Sequence, residues 1–185
     1  MTVHQKYHRY LNLPFEVDKP LIFKKDPDKI QHIELKEKFV PVKVREWLKS
    51  LGLKSMHTEA FFTAPNDKIF IHCDSPKFDD HVKINFTWGD ENSYTRWWSV
   101  KDEKFLKNGG TEYGADILVA DEHHCNMTYQ QVINKPSLLN VGRLHSTYNP
   151  TDEGRWTLCI VPSFIDKEEF IHWDIAIELL KEVIV

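Results

Sequence analysis

In the run Ile71-His72-Cys73-Asp74, an imidazole and a carboxylate stand two residues apart. On an extended strand that spacing turns both side chains to one face and Cys73 to the other, which makes a ready pair of metal ligands. Two imidazoles and one carboxylate form the facial set suited to non-haem iron(II), with three coordination positions left open. His145, 73 residues downstream, is the candidate third ligand, because it opens a short β-rich run, His145 to Tyr148, after a polar turn. Arg155 follows ten residues later. One hairpin loop, Asn149 to Gly154, is expected to bring it onto a strand antiparallel to His145, with its guanidinium aimed into the same cavity. A planar, permanently charged fork holds a carboxylate through two hydrogen bonds. Thr157, two residues on and facing the same side, adds a hydroxyl donor.

The elements that must position these residues read as mainly β. From Met56 to Val161, short runs rich in β-branched and aromatic residues alternate with Pro, Asn, Asp and Gly, the pattern of a sandwich or barrel. Strands are expected at 56-63, 68-73, 81-88, 94-100, 116-120, 126-133, 137-141, 144-148 and 155-161, with loops at Gly109-Gly110 and Asn149-Pro150. In 82-88, Val82, Ile84, Phe86 and Trp88 alternate with Lys83, Asn85 and Thr87, so one face belongs to a core and the other lines something polar. Before this region Pro14, Pro20 and Pro27 interrupt any long helix, and Leu21-Ile22-Phe23 reads as an edge strand. Pro41 opens a helix whose Val44, Trp47, Leu48 and Leu51 share a face, and Gly52 supplies its left-handed stop. A closing helix is expected from about Asp166, with Phe170, Ile171, Trp173, Ile177, Leu180 and Ile184 on its apolar side. The whole reads as one domain, with a lead-in and helix over 1–55, a β core over 56–161 and a terminal helix over 162–185.

The ordered set His72-x-Asp74, His145 and Arg155-x-Thr157 resembles the motifs of the iron(II)- and 2-oxoglutarate-dependent dioxygenases. The stretch LLNVGRLHSTYNPTDEGRWTLCIV is similar to the last two core strands of prolyl-hydroxylase-like and viral members. VKINFTWGDENSYTRWW resembles the strand pair after the His-x-Asp motif in small members from phage and marine bacteria. Together these cover roughly residues 68 to 161. The resemblance implies a double-stranded β-helix, the jelly-roll or cupin-like barrel, with flanking α-helices. It places iron(II) on His72, Asp74 and His145, and the 2-oxoglutarate carboxylate on Arg155 helped by Thr157. Asn85, inward on the strand reading, is a further cosubstrate contact. The implied reaction consumes 2-oxoglutarate and molecular oxygen, releases succinate and carbon dioxide, and hydroxylates an organic substrate.

Composition narrows the alternatives. The 24 Lys plus Arg against 28 Asp plus Glu give a net charge of -4, which argues against a surface built to hold nucleic acid. A local excess of positive charge from Lys19 to Lys54 reads as a solvated helix face. Three widely spaced cysteines, Cys73, Cys125 and Cys159, suit a reducing compartment. The N-terminal MTVHQKYHRY has no apolar signal segment, and eighteen uncharged apolar residues never run together. The expectation is a cytoplasmic protein with no membrane span, acting on a small molecule or peptide, its oligomeric state open and a homodimer among the options.

Other residues compete for a role. His123-His124 followed by Cys125 is the rival metal cluster, but neighbours on a strand point to opposite faces, so a loop or strand-start role is expected. His4, His8, His32, His57, His81 and His172 lack a partner at ligand spacing. Trp88, Tyr94 and one of Trp97 and Trp98 are expected either to wall the cavity or to fill core. Asn85-Phe86-Thr87 matches a glycosylation acceptor, idle without a signal segment. The alternative to an enzyme is a non-catalytic β-helix that uses its cavity to bind a ligand or to serve as a structural module.

Overall fold

The computed structural model describes residues 6–23, 31–111 and 116–185. Pro27, His4 and the rest of the segments between lie outside the described residues. Among the described residues the chain forms twelve strands: β1 (His8–Tyr10), β2 (Gln31–Glu34), β3 (Leu53–Thr63), β4 (Lys68–Cys73), β5 (Val82–Gly89), β6 (Tyr94–Val100), β7 (Lys107–Gly110), β8 (Asp116–Val119), β9 (Cys125–Val132), β10 (Ser137–Asn140), β11 (His145–Tyr148) and β12 (Arg155–Phe164). Two helices join them, α1 (Val42–Ser50) between β2 and β3 and α2 (Trp173–Leu179) after β12.

The strands form two six-stranded antiparallel sheets, ordered β1-β10-β5-β12-β3-β2 and β7-β8-β4-β11-β6-β9. From β3 to β6 the chain changes sheet with every strand, and it does so again from β9 to β12. Eight strands wound this way are a double-stranded β-helix, or jelly roll. The β7-β8 pair is an insertion that widens one sheet beside β4.

The main core lies outside the barrel. On β5, Val82, Ile84 and Phe86 point away from the barrel interior, as do Trp156, Leu158 and Ile160 on β12 and Ala60 and Phe62 on β3. They meet Val44 and Leu48 of α1, Trp173 and Ala176 of α2, and Leu11 and Phe23 of the lead-in. Burying this face against helices leaves the opposite, inward face of the same strands free to be polar. That is why β12, whose side chains are buried from Arg155 through Ser163, alternates charged or polar with apolar residues instead of running apolar throughout.

Several expectations need correction. Leu21–Phe23 is a 3-10 turn, not an edge strand; its Phe23 stacks on Trp156 at 4.4 Å, so the apolar run anchors the lead-in without pairing. Gly109 and Gly110 lie within β7, not in a loop, paired with Ile117 and Asp116. The terminal helix begins at Trp173, not near Asp166: residues 165–172 run irregularly, because β12 continues to Phe164 and Ile171 must tuck into the core while Val82 N donates to its carbonyl. α1 and its Gly52 stop, at φ +73°, follow the sequence reading. Cys73, Cys125 and Cys159 are all free and buried. Among the described residues no helix is long and apolar enough to cross a membrane.

Two positions give stability predictions. Gly89 ends β5 at φ +105°, and a Cβ there would stand 2.2 Å from the Gly154 carbonyl oxygen. Gly89→Ala is therefore expected to cost at least about 2 kcal/mol, read from the urea midpoint, and to disturb the register of its partner Arg155. His8, on β1, is buried within 3.2 Å of Ser137 Oγ, and burial, with the neighbouring Arg9 charge, pushes its pKa down to about 4. The unfolded chain takes up that proton near pH 6.5, so the stability is intact above 6.5 and falls as pH drops toward 4. Between pH 7.5 and 4.5 the wild type should lose on the order of 2 kcal/mol more than His8→Gln, measured by denaturant titration.

Candidate metal centre

The strand period alone does not explain how His72 and Asp74 reach the barrel interior. β4 pairs with β11 as His145↔His72 and then Thr147↔Ile69, so one extra residue is accommodated on β4. This bulge turns both Ile69 and His72 inward although they are three apart, the re-aiming that bulges commonly provide. Asp74 follows the end of β4, where its N–H donates to the Val141 carbonyl at 3.1 Å. His145 starts β11 directly opposite His72.

The three side chains converge. His72 Nε2 lies 3.1 Å from Asp74 Oδ1, the His72 and His145 rings are 4.4 Å apart, and one ligand atom from each of the three residues falls within 4.8 Å of the others. Two ligands in neighbouring octahedral positions, each about 2.1 Å from an ion, are about 3.0 Å apart. His72 Nδ1 is 2.8 Å from the Phe70 carbonyl and His145 Nδ1 is 2.9 Å from the Arg143 carbonyl. A carbonyl only accepts, which assigns a proton to each Nδ1 and leaves Nε2 as the ligand atom, the backbone orientation typical of metal-binding histidines. Burial, with His72 beside it, pushes the His145 pKa down to about 3 and keeps that imidazole neutral. Burial alone would raise the Asp74 pKa, but the Lys83 ammonium outweighs it and holds the carboxyl well below its usual range. Two imidazole lone pairs and a carboxylate facing one point are satisfied by a cation, and the donor set fits iron(II).

Arg155 reaches the cavity by a different route from the hairpin expected. β12 pairs with β3 and β5, so the Asn149-to-Gly154 loop carries the chain across to the opposite sheet. Asn149 holds that loop, its buried amide donating to the carbonyls of Ala64 at 3.1 Å and Glu153 at 2.6 Å. Arg155 therefore faces β11 across the barrel. Its side chain is 2% exposed, and neither Nε nor Nη1 has a hydrogen-bond partner among the described residues. Burial pushes its pKa down to about 10, still charged at neutral pH. Asn85 Oδ1 is also buried and unpartnered, and Asn85, Thr157, Thr63, Thr95 and Thr147 line the same cavity as the three candidate ligands.

Two charged residues in the site carry no role in the sequence reading. Lys83 Nζ bridges Asp74 Oδ2 at 2.7 Å and Glu59 Oε2 at 2.8 Å. Burial would lower the Lys83 pKa, but the two carboxylates raise it; the same ammonium offsets burial at Glu59 and brings that pKa down to about 2. Lys83 was legible in the alternation of 82-88, where it shares the polar face with Asn85. Glu59 follows His57 and Thr58 in a strand whose polar and apolar residues do not alternate strictly.

The aromatic wall is not there. Trp97 is fully buried in a separate cluster with Tyr7 and Tyr129, Trp98 points outward to Ser146, Trp88 packs on the main core with its N–H donating to Val17, and Tyr94 meets Arg96 and Tyr148. Phe61, stacked on His32, lines the cavity instead. His57 and His32 both approach Glu59, and His81 is paired with Asp79 at 2.6 Å. His123 and His124 sit in a 3-10 turn, so the opposite-face argument does not apply; with Asp121 they form a second, outlying group whose ligand atoms lie within 4.8 Å. Asp121 is engaged by Lys107 at 2.9 Å.

No protein-family model and no curated protein sequence matches this chain. Among solved structures it is similar to oxalate oxidase in complex with the substrate analogue glycolate, at 13% identity over 80% of this chain and 63% of that one, with a TM-score of 0.38. It is also similar to a cupin 2 domain-containing protein from Halorhodospira halophila, at 10% identity over 93% and 88%, TM-score 0.35. A third is EvdO2 from Micromonospora carbonacea var. aurantiaca, at 14% identity over 77% and 72%, TM-score 0.39. Likeness at this level carries no activity from those proteins to this chain.

Proposed function

We propose that this protein is an iron(II)- and 2-oxoglutarate-dependent oxygenase that hydroxylates a small-molecule or peptide substrate. The observation that carries this reading is a buried guanidinium, with Nε and Nη1 unpartnered among the described residues, facing the same cavity as two imidazoles and a carboxylate. A buried cation with unmet donors is costly, and a carboxylate ligand removes that cost through a bidentate pair. His72, Asp74 and His145 would hold iron(II), and Arg155, Thr157 and Asn85 would hold 2-oxoglutarate.

Iron(II) with 2-oxoglutarate and molecular oxygen supplies the oxidising chemistry, with succinate and carbon dioxide as the products of the cosubstrate. The chain's own residues bind and orient. Proton-bearing Nδ1 atoms lock both imidazoles against backbone carbonyls, so Nε2 of each is presented inward without rearrangement. Arg155 fixes one end of a dicarboxylate, and the Thr157 hydroxyl is placed to donate to it. The buried threonines and Phe61 narrow the cavity and keep bulk water from it.

Purified protein loaded with iron(II) without oxygen is expected to develop a visible metal-to-ligand absorption band on adding 2-oxoglutarate, and to release succinate when air is admitted. Absence of both the band and 2-oxoglutarate binding would sink the reading. One observation favours the alternative of a non-catalytic binding module: Lys83 pairs with Asp74 at 2.7 Å. In that case ligand binding survives Asp74→Ala.

A further inference from the structure

The ion pair between Lys83 and Asp74 crosses the barrel interior. Asp74 follows β4 in one sheet, whereas Lys83 and Glu59 stand on β5 and β3 of the other. The Lys83 side chain is 8% exposed and its ammonium is shared almost equally between the two carboxylates, at 2.7 and 2.8 Å. Glu59 is anchored from behind, its Oε1 lying 2.8 Å from His57 Nε2. The Asp74 oxygen facing His72 is Oδ1, and the oxygen held by Lys83 is Oδ2. A divalent ion on Oδ1 and an ammonium on Oδ2 are like charges sharing one carboxylate, in a site with little water to screen them.

Resting on the reading of His72, Asp74 and His145 as metal ligands, we propose that Lys83 is a built-in competitor for Asp74 that weakens metal binding, and that Glu59 is the carboxylate onto which its ammonium withdraws when a divalent cation binds. Glu59 thereby governs metal affinity without touching the metal. Lys83 is a positioning residue in this account, and the centre is one that loads and releases its ion readily. If Lys83 instead merely oriented Asp74, its removal would weaken the site; the two roles predict opposite signs.

The test is Mn²⁺ titration of the full chain, following free Mn²⁺ by electron paramagnetic resonance, in wild type, Asp74→Ala, Lys83→Met, Glu59→Gln and the double variant Lys83→Met/Glu59→Gln. Removing a unit positive charge within about 5 Å of the ion is expected to tighten binding at least about tenfold in Lys83→Met. Glu59→Gln, which leaves the ammonium only Asp74, should bind several-fold more weakly. In the double variant that loss should largely vanish, because there is no ammonium left to hold. Unchanged or weaker binding in Lys83→Met overturns the proposal, as does unchanged or tighter binding in Glu59→Gln, which stands as the test by itself should Lys83→Met fail to fold. Wild-type binding abolished by Asp74→Ala alongside an inert Lys83→Met removes only this inference. Wild type and Asp74→Ala binding Mn²⁺ alike, or not at all, removes the metal-site reading and this inference with it.

Discussion

Arg155→Leu is expected to separate two properties that normally fall together: 2-oxoglutarate affinity drops by two to three orders of magnitude while the unliganded protein becomes more stable. Truncating one member of a buried charge pair costs about 2–5 kcal/mol of binding, and each 1.4 kcal/mol is tenfold. In the free protein, however, the guanidinium has Nε and Nη1 unpartnered and is 2% exposed, so it is a burden on the fold. Each such unmet group costs about 1–3 kcal/mol, and leucine fills much of the same space without it. Iron affinity should be unchanged, since Arg155 is not among the converging ligand atoms. Isothermal titration with 2-oxoglutarate and thermal unfolding without it check the two halves. Loss of stability together with unchanged 2-oxoglutarate affinity would mark Arg155 as a structural residue.

Asp74→Ala is expected to have the largest effect on the metal. Partners that only orient a ligand are worth about 10–100-fold in affinity, and Asp74 supplies one of three donor atoms and the charge among them, so a loss above about 100-fold is expected. The effect on the fold is smaller. Removing one member of a buried ion pair costs about 3–5 kcal/mol when the other charge is stranded, but Lys83 keeps Glu59 at 2.8 Å, so the loss should fall below that range. Denaturant unfolding of the metal-free protein checks this; a drop as large as the full range would mean that Glu59 does not hold the ammonium alone.

The parts of this arrangement legible in the sequence are those set by period and by chain order. A strand period of two put His72 with Asp74 and Arg155 with Thr157, and the alternation of Val82, Ile84 and Phe86 with Lys83 and Asn85 marked a polar face, because these relations are local. The second helix and the route of Arg155 were not legible for the same reason inverted. Phe170 and Ile171 fit a helical face by spacing, yet Ile171 lies outside the helix with its carbonyl bonded to Val82 N–H, a contact 89 residues away in the chain. A ten-residue interval between His145 and Arg155 fits a hairpin and a sheet-to-sheet crossover equally well, and only the pairing of β12 with β3 and β5 decides. The β4 bulge, which aims His72, leaves no trace in residue type. Glu59 was missed because an acidic residue between Thr58 and Ala60 says nothing of the ammonium it meets from another strand.

Iron(II) and 2-oxoglutarate, or the redox-inert substitute manganese with 2-oxoglutarate, give the most direct test in a crystal of the full chain. The account predicts one metal ion bonded to His72 Nε2, His145 Nε2 and Asp74 Oδ1, with the far carboxylate of 2-oxoglutarate paired to the Arg155 guanidinium. A metal bound elsewhere, such as at Asp121, His123 and His124, or 2-oxoglutarate lying away from Arg155, would contradict it.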